Sequence, residues 1–230
     1  MWKMCGICNL IDDFAKTREI LPEMLDYSFT DKKKKNWNSS TVDDLFNKWN
    51  GDIAKAREKN NPMQVRDVIK AIFEWGGVGS AELLKVYEPK ILSNADNDSL
   101  AKKHGGNLSS WSKVLAAYDQ KNFFIYDSRV AVALNLIYQD QNIRINERFV
   151  WFIPTGRSIL SQVMKQELKE KEEKATESYS RYLALLKEAI PDDSEWKKRR
   201  EIEQKLFMLG GYYEFRCSDW MKYIQHKKEK

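Results

Sequence analysis

The sequence predicts an all-α, mostly helical fold with few or no strands. Apolar residues recur at spacings of three and four in one segment after another, the period of a single helix face. Almost nowhere do they alternate as a half-buried strand requires. With 230 residues, 42% of them hydrophobic, the chain can bury a sizeable core, either as one helical domain over 1–230 or as two small lobes.

The first clear helix is expected from Val42 to Lys59, capped by Thr41 or Asp43, with Leu45, Phe46, Trp49, Ile53 and Ala56 on one stripe. Asn60-Asn61-Pro62 ends it, and a second helix starting at Met63 presents Val65, Val68, Ile69, Ile72 and Phe73. Trp75-Gly76-Gly77 stops that helix, because glycine can supply the positive φ that follows a last turn. A shorter helix begins at Ser80, and the polar stretch between Lys90 and Leu108 reads as loops around a short helix near Ser99 to His104. Helices are next expected from Trp111 to Tyr118 and from Ser128 to Tyr138, with a turn over Asp119 to Phe124 between them. Asn142 to Ile153 alternates enough to pair briefly, and Pro154-Thr155-Gly156 then breaks the chain before a long charged helix from Ser158 to Ile190. A last helix carries Trp196, Ile202, Leu206 and Phe207 and is expected to end at Gly210-Gly211.

Composition narrows the function classes. No run of about 18 uncharged apolar residues exists, as a membrane span needs, and Met1 to Ile11 lacks the apolar block of a signal peptide. Three cysteines, Cys5, Cys8 and Cys217, make an odd set that suits a reducing compartment better than a disulfide framework. Cys5-Gly-Ile-Cys8 has ligand-like spacing, but the remaining soft candidates are only Cys217, His104 and His226, so neither a metal nor another cofactor is expected. A cytoplasmic protein is the expectation. The net charge of +5 is compatible with a phosphate-binding face without demanding one. Lys32 to Lys35 either touches phosphates or solubilises a loop, and the charge run from Lys165 to Lys174 reads as a solvated helix face.

The most informative stretch is Leu108 to Asn135, LSSWSKVLAAYDQKNFFIYDSRVAVALN. A glycine-containing loop leads into a helix bearing Lys113, a turn follows at Asp119, and Phe124-Ile125-Tyr126 delivers Asp127 to the start of the next helix. In this order the segment resembles the helix-hairpin-helix DNA glycosylase superfamily, and especially its 8-oxoguanine DNA glycosylase-like branch. The closing helix, with Glu203, Leu206, Phe207, Met208 and Gly210, resembles that of small members of the branch, and the two resemblances span about half the chain. The family's usual Leu-Pro-Gly-Val-Gly hairpin is replaced here by Lys103-His104-Gly105-Gly106-Asn107-Leu108.

The resemblance implies a two-lobed glycosylase-like fold, with the hairpin and aspartate region at 99–138. It implies an enzyme that flips a modified base out of DNA and cleaves its bond to the sugar, leaving an abasic site, in base-excision repair or in defence against viruses with modified DNA. Asp127 would be the catalytic carboxylate, since loss of the base builds positive charge on the sugar and a nearby anion stabilises it. The competing reading is a helix N-cap, a position where aspartate is common for a purely structural reason. In bifunctional members a lysine at the hairpin attacks the sugar; Lys113, 14 residues before Asp127 and so closer than in the family, must shed a proton to act in this way, and otherwise contacts a phosphate or the core. Phosphate contacts are expected from the Gly105, Gly106, Ser109, Ser110 and Ser112 segment at a helix start, and from Arg129. Trp75, Trp111 and Phe207 are candidates for the walls of a base pocket, with plain core packing as the alternative. The expected partner is DNA, with no membrane and no obligate protein partner. Two other classes stay open: a non-catalytic DNA-binding protein on the same scaffold, and a helical protein-interaction module.

Overall fold

The computed structural model describes residues 6–20, 22–30, 36–78, 81–93, 100, 107–141, 152 and 175–215. Within them the chain is predominantly helical, with one short antiparallel ribbon. No helix among the described residues is long and apolar enough to cross a membrane.

Helix α1, Gly6–Thr17, precedes the first helix expected from the sequence. It buries Ile7, Ile11, Phe14 and Ala15, whose spacing is that of one helix face. A single 3-10 turn, Pro22–Leu25, leads to β1, Ser28–Thr30, which pairs with β2, Asn36–Asn38, in the register Phe29 opposite Trp37. Two three-residue strands are too short to show alternation, so this ribbon escapes a pattern search. Lys32 to Lys35 lies outside the described residues.

Helix α2, Ser39–Glu58, begins three residues before its expected start. Its cap is neither Thr41 nor Asp43 but Asn38, whose Oδ1 accepts the Thr41 amide at 3.0 Å while Thr41 Oγ1 accepts the Asn38 amide at 2.9 Å. Two otherwise orphaned donors are satisfied reciprocally, which fixes the start. Val42, Phe46, Trp49, Ile53 and Ala56 form the buried stripe. Helix α3, Pro62–Trp75, is capped by Asn61 with Pro62 in its first turn, and Gly77 follows it at φ 67, the left-handed conformation its position calls for. Helix α4, Ala81–Leu92, packs on α3.

Helix α5, Leu108–Tyr118, and helix α6, Ser128–Asp140, are joined by a turn at 119–122 and an extended piece at 123–127. Every residue of α6 from Val130 to Tyr138 is buried, so this helix is surrounded on all sides. Helix α7, Ala175–Ala189, is the described part of the longer helix expected from Ser158, and helix α8, Trp196–Phe215, closes the fold. The helix expected at Ser99 to His104 and the pairing at Asn142 to Ile153 lie outside the described residues, except for the buried Leu100 and Phe152.

Gly210-Gly211 does not end α8, which continues through both glycines to Phe215. The reason is tertiary: a Cβ on Gly210 would fall 1.9 Å from the Arg129 carbonyl oxygen, so this glycine serves the close crossing of α8 over α6.

The main helix contacts fall into two groups: α2 with α3 and α5 and α3 with α4, and α1 with α6, α7 and α8, where α6 on α8 is the largest interface. The α5–α6 connection passes from one group to the other.

Candidate active site

The piece from Phe123 to Tyr126 is buried yet has no strand partner, so its backbone groups need side chains to satisfy them. Three helices supply these. Glu203 of α8 accepts the Ile125 amide on Oε2 at 2.7 Å, Ser112 of α5 accepts the Tyr126 amide on Oγ at 3.0 Å, and the Tyr179 hydroxyl of α7 donates to the Phe124 carbonyl at 3.1 Å. This triple fastening determines where the next residue, Asp127, enters α6.

Asp127 is the N-cap of α6, with extended backbone. Its Oδ1 accepts the amides of Arg129 at 3.0 Å and Val130 at 3.2 Å. Oδ2 receives no hydrogen bond from another described residue. The two readings of Asp127 are therefore compatible. Its residue is half-buried, and the helix dipole favours its negative charge.

Lys113, on α5, is 8% exposed. Its Nζ donates to the Ser109 carbonyl at 3.1 Å and to the Ser109 hydroxyl at 2.9 Å, one turn earlier on the same helix. Its aliphatic stem crosses the end of α3, where a Cβ on Gly76 would sit 2.7 Å from Lys113 Cδ. Burial pushes the ammonium below the ordinary lysine value, Arg129 adds to that effect, and the carboxylates of Asp127 and Glu203 oppose it. Lys113 and Asp127 thus lie within one another's electrostatic reach, from two different helices.

A buried ion pair backs this cluster. Arg200 Nη1 contacts both oxygens of Glu203, at 2.6 and 2.7 Å, and Glu203 is 3% exposed. Burial holds the Glu203 carboxyl above its usual range, against Arg200 and the Ile125 amide. The Arg200 guanidinium also lies over the Phe46 ring at 4.5 Å.

Aromatic groups flank the charges. The Arg129 guanidinium lies 4.6 Å from the Phe207 ring centre, and Phe207 is 5.5 Å from the ring of Tyr27, which leads into β1. Both Arg129 and Phe207 are half-buried. Trp75, also half-buried, packs edge-on against Trp37, Phe46 and Trp49, and is the residue before Gly76.

The expected site residues divide accordingly. Asp127, Lys113, Ser109, Ser112, Arg129 and Phe207 come together at the α5–α6 junction. Ser112 serves there as a backbone clamp, and Ser110 is buried inside α5. Trp111 does not belong to an open wall: it is wholly buried, donates from Nε1 to the Leu100 carbonyl at 2.7 Å and packs on Tyr87. Gly105 and Gly106 lie outside the described residues. Sequence reasoning gave no role to Arg200 or Tyr27, assigned Gly76 only to a helix end, and named Glu203 only as part of a closing helix. A signal for Arg200 and Glu203 was present, since they are charged residues beside Ile202 and Leu206, on the face that α8 turns to the core.

No family model, no curated protein and no solved structure matches the chain.

Proposed function

We propose that this protein is a DNA glycosylase that takes a modified base out of the duplex stack and cleaves its bond to the sugar without a metal. The observation that carries this reading is that Lys113, buried on α5, and Asp127, half-buried at the start of α6, lie within electrostatic reach of one another. Neither group alone argues for chemistry, because a capping aspartate and a buried lysine each have structural explanations.

Together they fit the demands of the reaction. As the base departs with the bonding electron pair, the deoxyribose gains positive charge, which the Asp127 carboxylate stabilises. The sugar carbon is then captured by water or by the Lys113 amine. Burial favours the neutral, nucleophilic form of that amine. Ser109 holds Nζ through two acceptors in the resting site and would release it as the sugar approaches. Arg129, stacked over the Phe207 ring, supplies a cation suited to the phosphate of an extruded nucleotide.

The test is Asp127→Asn. Asparagine keeps the capping oxygen but removes the charge, so the folded variant should bind DNA and release no base from a panel of modified DNAs read by mass spectrometry. Undiminished release by that variant sinks the proposal.

A further inference from the structure

The sequence puts Ser112 with Ser109 and Ser110 among the phosphate contacts, but its side chain is wholly buried, so its hydroxyl serves the protein interior. Its Oγ accepts the Tyr126 amide at 3.0 Å. Its own proton has two acceptors in reach, the Ser109 carbonyl at 3.1 Å and the Tyr126 carbonyl at 3.2 Å. Each of these partners adjoins one half of the site. Tyr126 is the residue before the capping Asp127, and the Ser109 carbonyl also accepts Lys113 Nζ at 3.1 Å. A single hydroxyl therefore joins the chain entering Asp127 to the group that holds the Lys113 amine, through hydrogen bonds of ordinary length.

We propose that Ser112 is a positioning residue of this site, whose hydroxyl keeps the Asp127 carboxylate in register with the Lys113 amine by holding the Tyr126 backbone against the first turn of α5. The inference rests on the glycosylase reading and adds to it a residue that touches no substrate. Glu203 and Tyr179 fasten Ile125 and Phe124 from α8 and α7. Of the three fastening side chains only Ser112 belongs to the helix that carries Lys113, and it holds the residue next to Asp127. Without the hydroxyl the Tyr126 amide is buried and unsatisfied, so the extended piece must move to find another acceptor, and Asp127 moves with it. A displacement of about 1 Å in a reacting constellation is enough to cost about a hundredfold in rate.

The experiment uses the full chain and a panel of duplex oligonucleotides, each carrying one oxidised, alkylated or deaminated base, with protein in excess so that a single turnover is read. In Ser112→Ala the rate of base release should fall about 10–100-fold, while the dissociation constant for the same duplex stays within about twofold of the parental one. A side chain that only stabilised the fold would not separate rate from affinity in a variant that is folded at the assay temperature. Ser112→Cys is close to serine in volume, but its thiol is a weak donor and a weak acceptor, so it should lose rate as Ser112→Ala does and takes its place if the alanine variant fails to fold. Ser112→Thr keeps the hydroxyl and should recover most of the parental rate.

Undiminished release by a folded Ser112→Ala or Ser112→Cys overturns the role of Ser112, as does a weakening of DNA binding that matches the fall in rate, or a folded Ser112→Thr that loses as much as the other two. Each of these results leaves the glycosylase reading standing. Release of no base by the parent chain sinks that reading, and this inference falls with it.

Discussion

Gly210 of α8 and Arg129 of α6 approach so closely that a Cβ on the glycine would meet the Arg129 carbonyl oxygen at 1.9 Å. The contact lies two residues beyond Asp127, so the crossing that brings α8 over α6 also bears on the cap that holds the carboxylate. Arg129, whose amide Asp127 accepts and whose side chain covers Phe207, is the residue through which the two are joined.

Gly210→Ala is therefore expected to destabilise the fold, by about 1–3 kcal/mol if the helices can shift apart and by more if they cannot. Gly211→Ala is the matched control: its Cβ would meet the Arg129 side chain no closer than 3.6 Å, an ordinary contact. Replacing a glycine inside a helix there should stabilise by up to about 1 kcal/mol. Chemical denaturation of both variants checks the pair, and equal effects would refute the close crossing.

Asp127→Asn should leave stability within about 1 kcal/mol of the parent, because asparagine caps a helix about as well as aspartate. Asp127→Ala, which removes the cap for Arg129 and Val130, should cost about 0.5–2 kcal/mol more. Melting curves separate the structural role from the chemical one, and base release measured on the same preparations should vanish in both.

Lys113→Met bears on pH. The folded-state value of Lys113 lies below the unfolded lysine value of 10.5, so between those two values the unfolded chain binds more protons. The stability of the parent should therefore rise relative to that of Lys113→Met as pH increases through that window. Below it, both states are protonated and the burial penalty is fully present. Parallel stability–pH curves for the two proteins would contradict the burial of this amine.

Arg200→Met leaves the Glu203 carboxylate buried without its cation and should cost about 3–5 kcal/mol at neutral pH. Glu203 already has a folded value above the unfolded 4.5, and without Arg200 opposing the rise that value should climb further. A raised carboxyl value means that stability is lost as pH increases through the window above 4.5 and is regained as pH falls back toward it. The variant should thus recover part of its deficit under mild acid, as urea titrations at several pH values would reveal.

The helical class was legible because it depends on local periodicity. Val65, Val68, Ile69, Ile72 and Phe73 announce α3 without reference to any other part of the chain, and the same holds for the stripe of α2. The order of Lys113, the turn at Asp119 and Asp127 was legible too, since a capping aspartate before an apolar run is a local signal. Less was visible where polar residues interrupt a short pattern. Helix α1 has its apolar residues at helical spacing, but Asn9, Asp12 and Asp13 stand between them, and the ribbon of β1 and β2 offers too few residues for any period to emerge.

The sequence by itself determined α2 and α3 and which aspartate starts α6, because hydrogen bonds and caps within a helix join residues only a few positions apart. Only the tertiary structure decided that Gly210 sits inside α8 rather than at its end, that Trp111 belongs to the core, and that Glu203 reaches the Ile125 amide from 78 residues away. Those outcomes depend on which helix surfaces meet. Shape and charge are matched there between residues whose separation along the chain carries no signal of their contact.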